Sequence, residues 1–350
     1  MKKLLPKKFE IFFGTGGVGK TTLATARAVD LALQGKKVLL MTIDPSKRLK
    51  DILGLRDEDS GILCTINSLQ GIGTFPQPMK ALLMNPQKTI ARMGEMAQVS
   101  ELKSNRIVEI LTKPYGGMNE ILALIELKMR IDEESFDCVI LDTPPGSHFL
   151  DFLDAIEKIK QFFDHRFVEI FTSLGKKTSE GQSKGMISGF MDKVVEFGVN
   201  KLLHYLEKVT GDSFVEDFLK ALEVIYRSRA SFLKGIEMEQ VLSRESEATW
   251  FLVTSVEQGK MTEAQDIQKS ASQKHHRRMN LLLNKTLAHH LSDWQATGEG
   301  ARLKEFFISK ESAINKSQSF EDVFDFPEVL ASSPLDHVKE LSIHWRKYAN

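Results

Sequence analysis

A chain that carries F-E-I-F-F-G-T-G-G-V-G-K-T-T at residues 9–22 has little freedom in how it folds. Residues 9–13 are apolar enough for a strand buried on both faces. Gly14, Gly16, Gly17 and Gly19 then let the backbone turn tightly around Thr15 and Val18 and aim its amides inward at an anion. Lys20 and Thr21 follow at once and complete the pattern G-x-x-x-x-G-K-T. In that pattern the lysine meets the β- and γ-phosphates, the threonine hydroxyl meets magnesium, and the positive end of the next helix faces the nucleotide. The alternative is a glycine-rich turn that happens to hold a lysine. Strand, loop and amphipathic helix in the required order argue against it.

Further strands end in residues of the right chemistry. Residues 38–43 (V-L-L-M-T-I) form an apolar run that delivers Asp44 and Pro45 at its carboxyl end, where open α/β sheets place their ligands. Residues 138–141 (C-V-I-L) form a second such run, ending in D-T-P-P-G. An acidic residue there, Asp142, is expected at the magnesium site, acting through water, and Gly146 can bring its amide near a γ-phosphate. Residues 250–254 (W-F-L-V-T) and 279–283 (M-N-L-L-L) read as later strands, the second leading into Asn284, whose amide suits reading a nucleotide base. A short edge strand at 63–66, a helix at about 262–275, a last strand at 321–327 ending in Pro327, and a closing helix complete the pattern.

Between these strands lie helical stretches at about 78–131 and 150–245. They are expected to be insertions within one domain spanning residues 1–350. Residues 175–185 read as a polar mobile loop. Residues 186–209 are rich in Met and Phe and serve as core, as a dimer interface or as a groove for a hydrophobic helix or lipid-like client.

Composition narrows the classes. Lys plus Arg and Asp plus Glu number 47 each, so bulk charge gives no case for nucleic-acid binding. The H-H-R-R run at residues 275–278 lacks an aromatic platform and reads as solvated surface. The two cysteines, Cys64 and Cys138, form no C-x-x-C, which fits a reducing compartment and not a disulfide framework. Pro6, Lys7, Lys8 and Glu10 interrupt the N-terminus before a signal-like core forms, and no run of about 18 apolar residues occurs, so a cytoplasmic protein that is not integral to a membrane is expected.

Taken together, G-T-G-G-V-G-K-T-T at residues 14–22, T-I-D-P at 42–45, D-T-P-P-G-S-H at 142–148, F-L-V-T-S-V-E at 251–257 and L-L-L-N-K at 281–285 resemble the ArsA family. This family comprises arsenite-pump and tail-anchored-protein-targeting ATPases within the deviant Walker A dimeric ATPases. The resemblance implies an α/β P-loop fold, a mostly parallel sheet flanked by helices with a helical subdomain. It also implies two subunits face to face, with ATP and Mg2+ at their interface, and the Met- and Phe-rich helices suit a hydrophobic protein client. Lys20 matches the phosphate-loop lysine, and the loop from Gly14 through Thr22 the phosphate cradle. Thr21, Asp44 and Asp142 match the magnesium-side residues, with Asp44 positioning or deprotonating the attacking water. Asn284 and Pro327 match the groups that frame adenine.

Two departures shape the expectation. The family's signature lysine, which reaches across the dimer to the partner's nucleotide, is replaced by Thr15. A hydroxyl donates a hydrogen bond but supplies no charge to a developing transition state. Hydrolysis is therefore slow in a homodimer, dependent on a heterodimer partner that carries the lysine, or assisted by a nearby lysine such as Lys7 or Lys8. A weakly hydrolysing regulatory or scaffold subunit is the second reading, and an anion or arsenite pump the third. The C-x-x-C of the targeting ATPases and the cysteine cluster of the pump are absent, and arsenite needs soft thiolates. Lys47 and Arg48 in the first switch are either contacts to the partner's phosphates or solvated surface.

Overall fold

The computed structural model describes residues 3–44, 47–96, 98, 119–146, 148, 150, 228–292, 294–314 and 320–349. The stretches 175–185 and 186–209, the Pro45–Ser46 pair and most of the 150–245 insertion lie outside the described residues. The chain divides into two units, one of residues 1–85, 129–151 and 238–350 and one of residues 86–128 and 152–237.

The first unit is built on an eight-stranded sheet. Its strands in chain order are β1 (Phe9–Gly14), β2 (Val38–Thr42), β3 (Leu63–Leu69), β4 (Gly73–Leu83), β5 (Cys138–Asp142), β6 (Ala248–Ser255), β7 (Asn280–Thr286) and β8 (Val323–Pro327). They lie side by side in the order β3-β4-β2-β5-β1-β6-β7-β8. All neighbours are parallel except the β3–β4 hairpin. Strands β1, β2, β5 and β6 are buried along their whole length, which is why they read as unbroken apolar runs.

Strand β4 departs from the sequence expectation of helix from residue 78. It continues to Leu83, and helix α3 (Pro86–Met96) starts only after it. Pro76 and Pro78 argue against a strand, since proline cannot donate to a ladder. Here they fall where the β3–β4 register shifts, between the Ile66↔Met79 and Ser68↔Thr74 pairs, and β2 joins β4 only from Lys80 onward. Neither proline has to supply a ladder bond at a regular pair.

Helix α1 (Lys20–Leu33) follows the glycine loop and ends in a left-handed Gly35 at φ 80°. The amides of Gly35 and Lys36 donate to the carbonyls of Ala32 and Leu31, closing the helix with a Schellman pair. Its Arg27 is fully buried, with Nε and Nη2 each 2.9 Å from one oxygen of Glu10 on β1 and the guanidinium 5.0 Å above the Trp345 ring. Burial opposes the charge on Arg27, but Glu10 outweighs it and holds the guanidinium above its ordinary pKa. A one-sided change at this pair leaves a buried charge uncompensated.

Trp345 belongs to the closing helix, the last of the chain's described elements, which runs Pro334–Ala349. Its indole nitrogen donates to Leu23 O of α1 at 3.1 Å, and its ring packs on Phe326, Phe251 and Phe12. The same helix covers the open edge of β8. Tyr348 Oη accepts from Asp325 N at 3.0 Å and donates to Asp325 O at 2.8 Å, and His344 Nε2 donates to that carbonyl at 2.7 Å. Strand-edge groups that would template another chain are thereby occupied.

Helices α4 (Asn119–Glu133) and α5 (Arg229–Leu242) follow in the chain. Within the second unit Arg92 of α3 meets Glu126 of α4 at 3.1 Å. A side chain at Gly235 of α5 would place Cβ 2.7 Å from Ile125 of α4, so glycine permits close helix contact there. Helix α6 (Gln258–His275) begins four residues earlier than its apolar pattern suggested, and α7 (Ala288–Ser292) and α8 (Glu299–Ile314) precede β8. With these counted, the closing helix is α9.

The H-H-R-R run is a correction. Arg277 is buried over the Trp250 ring at 4.9 Å, donates to Ser243 O at 2.9 Å and to Ala248 O, and has its pKa lowered by burial. Arg278 donates to Phe320 O. Arg277 ties the end of α6 to β6 and is not solvated surface, whereas His276 and Arg278 are exposed as expected.

His344 makes the fold sensitive to acid. Burial lowers its pKa from 6.5 to about 4, against the opposing pull of the Asp325 carbonyl. A depressed folded-state pKa means that the stability is complete above the unfolded value and is lost as pH falls from 6.5 toward about 4. The contribution is on the order of 1–2 kcal/mol, since the ring is only partly buried. Denaturant midpoints for wild type and His344→Phe should show a shallower fall for the variant between pH 7 and 4.5; parallel pH profiles would contradict the assignment.

Candidate functional site

The carboxyl ends of β1, β2, β5 and β7 surround a cavity of about 400 Å3. This size suits a small-molecule ligand. The loop from Thr15 to Gly19 forms one wall. Gly17 and Gly19 take left-handed backbone angles of φ 81° and 89°, and Gly19 is the N-cap of α1. Gly14 is pressed against β6, where a Cβ would lie 2.9 Å from Val253 O.

Beneath the loop sits a buried carboxylate. Asp142 at the end of β5 receives Lys20 Nζ at 2.6 Å on Oδ1, and the hydroxyls of Thr21 and Thr42 at 2.8 and 3.1 Å on Oδ2. Lys20 also donates to Thr143 O. The β5 end is in turn fastened to β1, since Thr143 Oγ1 donates to Phe12 O at 2.9 Å and Gly146 N to Gly14 O at 2.9 Å. The Gly146 amide, expected near a γ-phosphate, is here occupied by the loop's own carbonyl.

Of the residues expected from sequence, Thr15, Gly16, Gly17, Gly19, Lys20, Thr21, Thr22, Asp44, Asn284 and Pro327 line the cavity. Asp44 is exposed at the mouth. Gly14, Val18, Asp142 and Gly146 stand behind that lining, with Asp142 reaching it through Lys20 and Thr21. Thr15 is 1% exposed, and its hydroxyl is buried without a hydrogen-bond partner among the described residues. Asn284 Nδ2 donates to Val18 O at 2.8 Å and lies beneath Gly19.

The structure adds Thr143, Pro145, Glu328, Val329, His337 and Leu341 to the lining. The first two lie within D-T-P-P-G, and Glu328 and Val329 continue from Pro327, so proximity in sequence could have flagged them. His337 and Leu341 are four apart on α9 and carried no local signal. His337 Nε2 donates to Ala331 O at 3.0 Å, which fixes the ring's orientation.

Mg2+ takes oxygen ligands and retains waters, using one or two carboxylates together with substrate phosphates. The Thr21 hydroxyl and the Asp142 and Asp44 carboxylates fit that donor set. Among the described residues no group of three His, Cys, Asp or Glu side chains forms a metal cage.

Comparison with known proteins gives the same family as the motifs. A model of the anion-transporting ATPases, ArsA_ATPase, matches residues 7–302. The chain is 31% identical over 150 residues to an ATPase get3 of Schizosaccharomyces japonicus, covering 41% of this chain and 44% of the relative. It is 31% identical over 185 residues to an ATPase GET3 of Candida glabrata, covering 50% and 52%. It is 31% identical over 151 residues to an ATPase ASNA1 homolog 2 of Paramecium tetraurelia, covering 41% and 44%. The matched part spans about half the length of these curated relatives.

A methyl group at position 19 tests the loop geometry. It would sit 2.5 Å from Asn284 Nδ2 on a backbone at φ 89°. Gly19→Ala should cost about 1–2 kcal/mol from the left-handed conformation alone, read as a lower denaturation midpoint. An unchanged midpoint would show that the loop adopts another conformation in solution.

Proposed function

Because the chain belongs to the anion-transporting ATPase family, we propose that it is a magnesium-dependent ATPase that hydrolyses ATP to ADP and phosphate and couples nucleotide state to a protein partner. The observation that carries this reading is the buried Lys20–Asp142–Thr21 constellation below the glycine loop. Phosphoryl transfer needs a cation clamp, a metal site and an oriented water more than it needs covalent chemistry from the protein.

In this reading the loop amides from Gly14 to Thr22 and the Lys20 ammonium bind the phosphates. Thr21 and Asp142 hold Mg2+, which neutralises phosphate charge when bound, and Asp44 orients the attacking water. Asn284 keeps its amide nitrogen on Val18 O and offers its carbonyl oxygen to the exocyclic amine of adenine, while Pro327 frames the ring. Gly146 acts as a sensor whose amide exchanges Gly14 O for the γ-phosphate.

The resemblance supports a dimer with ATP at the interface, the Met- and Phe-rich sequence at 186–209 supports a hydrophobic client, and the lack of a long apolar run supports a cytoplasmic location. Among the described residues no helix is long and apolar enough to cross a membrane. The regulatory-subunit reading draws support from Thr15, which has no charge to offer. Metalloid extrusion is less favoured. Cys64 on β3 and Cys138 on β5 are separated by two intervening strands, roughly 14 Å at normal strand spacing. Burial also pushes the Cys138 thiol well above its usual pKa, away from the thiolate that a soft ion needs.

Steady-state phosphate release with Mg-ATP separates the readings. Wild type should turn over, and Lys20→Ala should lose ATP affinity by at least about tenfold along with hydrolysis. Equal affinity in the two proteins would remove the phosphate-clamp assignment. Arsenite or antimonite should not accelerate the rate; stimulation by either would restore the pump reading.

A further inference from the structure

We infer that Arg48 is a catalytic residue acting within its own subunit, supplying to the γ-phosphoryl group the positive charge that Thr15 lacks. This rests on the ATPase reading proposed above. Arg48 lies on α2 (Lys47–Leu53), four residues after Asp44, and both side chains line the same cavity as Lys20 and Thr21. Among the described residues Arg48 has no ion pair and no hydrogen bond, not even with Asp44. Arg48 is exposed, and the five donors of its always-charged group are open beside that cavity.

The other cations lining the cavity are placed for different work. Lys20 is held by Asp142 and the Thr143 carbonyl. Lys285 is on β7, next to β8, at the Asn284 and Pro327 end. Arg48 follows β2, whose Thr42 pairs in register with Asp142, so it belongs to the side where Asp44 and the metal-side residues gather. Thr15 is 1% exposed, with its hydroxyl buried and no charge to offer. One position has lost its cation, and a second, on the first switch, has gained one that lines the chain's own cavity.

In the step itself, water forms a new bond to the γ-phosphorus as the bond to the bridging oxygen breaks. The bond pair leaves on ADP and the water proton passes to the phosphate product. Arg48 makes and breaks no bond; its guanidinium stabilises the charge spread over the transferring phosphoryl oxygens. Such a group acts on kcat and leaves ground-state ATP affinity nearly unchanged.

The test compares full-length wild type with Arg48→Ala and Arg48→Lys, using a fluorescent ATP analogue for affinity and phosphate release for turnover. Arg48→Ala should lose about 100-fold or more in kcat while affinity changes by less than about threefold, with partial recovery in Arg48→Lys. ADP with aluminium fluoride, which mimics the transferring phosphoryl, should be retained by wild type and released by Arg48→Ala, whereas ADP alone binds both equally. Mixing Arg48→Ala with Asp44→Asn should restore no activity, because each site then lacks one of its own residues. Recovery on mixing overturns action within one subunit. Equal turnover by Arg48→Ala, or equal retention of the aluminium fluoride complex, overturns a catalytic role altogether. A wild type that binds no Mg-ATP fails the proposed function itself, and is distinguished from these outcomes by the affinity measurement.

Discussion

The Asp142 carboxylate is the group on which the site depends. A buried negative charge is tolerated only when it is paired and hydrogen-bonded. Asp142 meets that demand with Lys20 and Thr21 from α1 and Thr42 from β2. The start of α1 behind the glycine loop, strand β2 and strand β5 are therefore tied to one side chain. Two of these donors, Lys20 and Thr21, are those a nucleotide-metal complex would claim. In the proposed function binding would be an exchange of partners, with Lys20 giving its charge to phosphate and Asp142 turning toward the metal, so that no charge would be stranded at either stage.

The sheet around this group was legible because of how it is buried. Parallel strands covered on both faces leave continuous apolar runs, and β2, β5, β6 and β7 each showed one. The residues that close those runs, Asp44, Asp142 and Asn284, were visible for the same reason. Strand β4 was hidden because Pro76 and Pro78 are evidence against a strand unless its register irregularity is known, and that irregularity shows only once β4 is paired with β3. Arg277 was hidden because its platform, Trp250, lies on a strand 27 positions earlier.

The closing helix illustrates the same limit at the site. Its amphipathic pattern predicted a helix, but not that one face would seal β8 through His344 and Tyr348 while His337 and Leu341 lined the cavity. Those roles depend on Trp345 docking on α1 and the aromatic side chains of β1, β6 and β8, contacts more than 300 residues apart in sequence for Leu23 and Trp345. The end of the chain thus stabilises the sheet edge and shapes the site in one element.

The exchange at Asp142 can be observed directly. A crystal structure of the chain with Mg2+ and a non-hydrolysable ATP analogue should show Lys20 Nζ on the phosphates, no longer 2.6 Å from Asp142 Oδ1, with Asp142 facing the metal shell. A bound nucleotide that leaves the Lys20–Asp142 pair intact would contradict the account.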